Sequence, residues 1–132
     1  MKNNRRFALT ATFSALLPIA LLFISSARSG HLFALADWEL VPINWLFMAA
    51  PHILVIGLAL IHKPFRHGLA APSLLFFCAL LIAFQSWVWF FVPAREGGLT
   101  WVLYIPVWVI GLVVVYAYRL YQRHASNNHA AL

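Results

Sequence analysis

The chain has 132 residues, of which 64% are hydrophobic and only 9% charged, with a net charge of +6. Soluble domains run at about 45–50% apolar and about 25% charged, so this composition excludes a water-soluble globule and makes lipid the solvent for most of the chain. The one cysteine, Cys78, excludes an internal disulfide and cannot build a metal site alone; in an apolar run it reads as a small packing residue.

Four runs reach the roughly 20 mostly apolar residues that a spanning helix needs. They cover about residues 7–24, 43–61, 69–92 and 100–120, and charged residues bracket each of them. In lipid the backbone must bond to itself, which favours helices. The runs lack sustained alternation, and four of them cannot close a barrel. The expected fold is an all-α integral membrane protein, a single four-helix transmembrane bundle of up-down topology.

Between spans one and two, Leu32, Leu35 and Trp38 recur every third residue, which suits a short helix lying on the outer surface. Between spans three and four, Pro93, Gly97 and Gly98 read as a turn. The stretch 125–132 is small and polar and reads as a disordered tail. Ser25, Ser26 and Ala27 would suit a signal peptidase. The apolar stretch before them is 18 residues, longer than the usual roughly 7–15, so span one is expected to stay uncleaved.

Charge sets the expected direction. Lys2, Arg5, Arg6, Lys63, Arg66, Arg119 and Arg123 fall on one side with no acid among them. Asp37, Glu39 and Glu96, the three acids of the chain, fall on the other side with Arg28 and Arg95. Lys- and Arg-rich short loops remain cytoplasmic, which predicts both termini inside and a location in the cell (inner) membrane. The basic balance is thus a topology signal, and nucleic acid is not an expected partner.

The aromatic residues follow the same frame. Trp38, Trp45, Trp87, Trp89 and Trp101 fall in outer loops or outer halves of spans, and Tyr116, Tyr118 and Tyr121 at the inner end of span four. An amphipathic ring prefers the headgroup level, so these read as membrane anchors. Trp108 lies about two turns deep and fits that belt worst.

Pro51-His52, near the middle of span two, is the sharpest candidate for chemistry. Pro51 cannot bond back to the Phe47 carbonyl and should kink the helix; Pro18 and Pro106 are kink candidates in spans one and four. His52 is the histidine well inside a span, and intramembrane ionisable residues face the bundle interior or a wet cavity. With Asn44, Gln85 and Trp108 it would form a ligand or proton site beneath the outer-loop acids. Its plainer reading is a neutral histidine bonded to Gln85 or to a kink-exposed carbonyl, worth about 1 kcal/mol to helix packing. Thr10, Ser14, Pro18 and Ser25 share one face of span one and read as a packing seam.

Haem between spans would need a second embedded histidine. His62/His67 and His124/His129 are spaced by five, which does not align metal ligands on a helix. No cofactor and no metal are expected, and no catalytic residue is assigned. In size and span number the chain is similar to small multidrug-resistance transporters. Those depend on a carboxylate in the first span, and residues 7–24 hold none, so their function is not carried over.

The leading expectation is a non-enzymatic accessory or interaction subunit of a membrane complex, with the lipid bilayer and other membrane subunits, or further copies of itself, as partners. The alternatives are a small oligomeric transporter or channel with a polar path near His52, and a membrane enzyme or redox protein acting on a lipophilic substrate.

Overall fold

A computed structural model describes the backbone of residues 2–28, 39, 41–93 and 97–130, and the side chains of 4–28, 39, 41–93 and 102–122. The described chain is helical: α1 (Lys2–Arg28), α2 (Val41–Ile61), α3 (Lys63–Gly68), α4 (Ala70–Phe91) and α5 (Gly97–Ala130). Four segments, Asn4–Arg28, Val41–Ile61, Ala70–Phe91 and Val102–Gln122, are long and apolar enough to cross a membrane. They correspond to the four runs expected from sequence.

α2 and α4 form the central pair. α1 packs against both from one side, and α5 against both from the other, and the α1 and α5 backbones do not approach each other among the described residues. Along α4 and α5 the contacts run in opposite senses. The Phe84 and Tyr104 rings meet at a 42° tilt with centroids 4.9 Å apart, and Phe77 abuts Gly111. Two apolar clusters fill the interior. One joins Leu21, Met48, Leu81, Phe84 and Tyr104, and the other Val55, Ala59, Phe65, Ala70, Leu74 and Phe77. Trp108 packs against both.

Gly111 sets the distance between α4 and α5. A β-carbon there would stand 2.8 Å from Phe77 Cε1 and 3.3 Å from both Leu80 Cδ2 and Phe76 Cε1. Small residues at such crossings let helices approach closely, and in lipid this packing is a main source of association.

Three local features depart from the sequence reading. The loop after span two contains a helix, α3. His62 caps it, its Nδ1 accepting the Phe65 N–H at 3.3 Å, and Pro64 sits in the first turn where no backbone donor is needed. α5 begins at Gly97 rather than about residue 100, since the first N–H groups of a helix need no internal partner. It then continues to Ala130, where a disordered tail from 125 was expected. After Gly111 the sequence has neither Gly nor Pro, so no breaker ends the helix. At about 1.5 Å per residue its 34 residues extend about 51 Å, beyond a hydrocarbon core of about 30 Å.

α4 does stop where its sequence requires. Val92, ahead of Pro93, is extended at φ −101° and ψ 126°, as the proline ring demands, and its N–H bonds to the Val88 carbonyl. Leu32, Leu35 and Trp38, which carry the expected surface helix, lie outside the described residues.

Candidate functional site

His52 is buried on α2, 1% exposed, and faces α4. Its Nε2 lies 3.7 Å from Cys78 Sγ, a weak sulfur hydrogen bond in which either group can donate. The Phe77 ring meets the imidazole edge-on, with centroids 6.2 Å apart and planes at 71°. The pairing with Gln85 anticipated from sequence is not made. Gln85 lies seven residues beyond Cys78 on α4, about 10 Å along the axis, and is tied to a different helix. Cys78 therefore has a role that its apolar setting did not announce: it is the polar neighbour of the buried histidine.

Gln85 belongs to a second polar cluster, where α1 meets α4. Ser25 Oγ accepts from Gln85 Nε2 at 3.1 Å and from Trp89 Nε1 at 2.9 Å. The Arg28 guanidinium sits 5.4 Å from the Trp89 ring centroid and 5.7 Å from that of Phe90, a cation held over two aromatic faces. One hydroxyl thus gathers two donors 60 and 64 residues away. Gln85 Oε1 and Trp108 Nε1 are buried with no hydrogen-bond partner among the described residues.

The seam proposed for α1 is present as a buried stripe. Ser14, Pro18 and Leu21 are buried, and Thr10 and Ser25 half-buried. Thr10 and Ser14 donate to carbonyls of their own helix, which satisfies the hydroxyls without demanding a partner. Pro18 lacks an N–H, so the Ser14 carbonyl has no ladder donor. One residue on, the Ala15 carbonyl accepts a hydrogen bond from Trp45 Nε1 at 3.2 Å, which ties α2 to α1.

The other named residues divide by exposure. Pro18 and Pro51 are buried and Pro106 exposed, each within an uninterrupted helix. Asn44 is half-buried near the start of α2 and joins neither polar cluster. Trp87, Tyr116, Tyr118 and Tyr121 project outward, at 43–70% exposed. Trp45 and Trp89 bond across helices, so their indoles tie neighbouring helices together. Glu39 is exposed in a turn. Asp37, Glu96, Trp38 and the side chain of Trp101 lie outside the described residues. Among the described residues no group of three His, Cys, Asp or Glu side chains comes together to hold a metal ion.

Comparison of the chain with protein-family models, with curated proteins and with solved structures finds no match.

Proposed function

We propose that the chain is an up-down four-helix transmembrane bundle with both termini cytoplasmic, and that it serves as a non-enzymatic accessory or interaction subunit of a membrane complex. The orientation rests on the one-sided distribution of Lys and Arg. The functional reading rests on one observation. The interior polar side chains nearest to a reactive site each reach across to another helix, His52 to Cys78 and both Gln85 and Trp89 to Ser25, while His52 Nδ1 and Gln85 Oε1 stay buried without a hydrogen-bond partner among the described residues. What remains for recognition is the outer surface. Along α5, Leu103, Val109, Ile110, Val113 and Val114 are exposed and apolar, and only a narrow stripe of the helix is turned inward.

A photo-crosslinking amino acid placed at Val113 tests this in the native membrane. The expected product is one adduct of defined mass, formed with another protein and absent when the probe replaces buried Leu81. Adducts with lipid alone would contradict the proposal.

A second reading, a polar path through the bundle, draws on the buried Gln85 Oε1 and Trp108 Nε1. Unmatched buried polar atoms are costly and suit a transient polar guest. It requires a flux in proteoliposomes that Gln85→Leu abolishes.

A further inference from the structure

The cytoplasmic end of the proposed bundle carries a cleft that the helix ties do not use. It lies between α2, α3 and α5, with a volume of about 230 Å³. Its walls include Leu54, Val55 and Leu58 of α2, Phe65 of α3, and Leu112 and Val115 of α5. Beside Tyr116, one charged group reaches it, Arg119, whose guanidinium carbon sits 5.7 Å from the Phe65 ring centroid.

No carboxylate among the described residues pairs with Arg119. In the sequence the three acids precede α2 and α5, whereas Arg119 lies 22 residues after the start of α5. From the start of α5 to Arg119 is about 33 Å of helix. Arg66 follows Phe65 in α3, and its Nε is also buried without a hydrogen-bond partner among the described residues. An apolar cleft thus opens beside a guanidinium with no counter-ion among the described residues.

We infer that this cleft binds one acidic phospholipid of the cytoplasmic leaflet, with an acyl chain between α2 and α5 and its phosphate on Arg119. A planar guanidinium matches a phosphate through paired N–H donors, and juxtamembrane basic residues attract acidic lipid. The inference rests on the membrane-spanning reading and is independent of the subunit reading.

The test is native mass spectrometry of detergent-purified protein titrated with phosphatidylglycerol or phosphatidylcholine. The wild type is expected to retain one phosphatidylglycerol in preference to phosphatidylcholine. Arg119→Gln should lower that preference about fivefold, the scale of one basic residue near the membrane surface. Arg119→Lys should restore most of it, and Lys63→Gln, an exposed charge at the same end, should leave it unchanged. Leu58→Trp keeps the charge, fills the cleft, and should lower retention of phosphatidylglycerol. Equal losses in Arg119→Gln and Lys63→Gln, or full retention in Leu58→Trp, would overturn the site. Protein that leaves the membrane fraction without detergent would instead overturn the spanning reading itself.

Discussion

Replacing Gly111 with alanine is expected to destabilise the bundle by about 1–3 kcal/mol, the usual cost of forcing extra volume into a packed interior. The new methyl would meet Phe77 Cε1 at 2.8 Å. Phe77 is hemmed in on several sides. It is fully buried, lies edge-on to His52, and contacts Phe76 with centroids 5.4 Å apart. Relief must come from parting α4 and α5, which loosens the Phe84–Tyr104 contact as well. Gly57 is the control, because a β-carbon there meets nothing within 4 Å. Gly57→Ala should hold or raise stability, by up to about 1 kcal/mol from helix propensity. Thermal unfolding in detergent reads both. Trimming the obstacle, in Gly111→Ala combined with Phe77→Leu, should cost less than the sum of the single changes, as contacting sites do. A Gly111→Ala protein that melts with the wild type would refute the close approach of α4 and α5.

The second large effect is expected at Ser25. Ser25→Ala removes the acceptor for both Gln85 Nε2 and Trp89 Nε1 and leaves two donors without a partner. Interhelical hydrogen bonds in membranes average about 0.6 kcal/mol and reach about 1.7, so the loss should be about 1–3 kcal/mol. It should loosen α1 in particular, and protease sensitivity near residues 25–28 should rise before the rest of the bundle melts. Ser25 also lies within the stretch that would suit a signal peptidase. If α1 is a working part of the bundle, the mature protein must keep it, and its intact mass should include residues 1–27. A mature chain beginning at Arg28 would contradict both the hydrogen bonds and the four-helix architecture.

The four helices long enough to span a membrane were legible because their signal is simple: long apolar runs bracketed by charges. The interior was legible only in part, for a geometric reason. Hydropathy places a residue at a depth along a helix, whereas rotation about the axis decides which neighbour it meets. His52 and Gln85 both read as interior polar groups, but Cys78 rather than Gln85 reaches the histidine. Trp45 and Trp89 show the same limit. An indole at the membrane edge satisfies its N–H equally well at a headgroup or on a neighbouring helix, and depth alone does not distinguish these. His62 is a different case, since its signal was present. A residue able to accept a hydrogen bond, followed within two positions by proline, is a helix-start pattern. It was hidden because the segment between spans two and three read as a plain loop. The extension of α5 was hidden in the same way, by composition: Ser126, Asn127 and Asn128 suggested a tail, although nothing before them breaks the helix.

The central claim is that the bundle's polar interior holds the protein together while its outer surface serves another protein. Native mass spectrometry of the protein, extracted gently from its own membrane, tests it most directly. The account predicts a different membrane protein bound at fixed stoichiometry, which survives conditions that strip bulk lipid. A monomer, a homo-oligomer without other subunits, or a small molecule retained in place of a partner would contradict it.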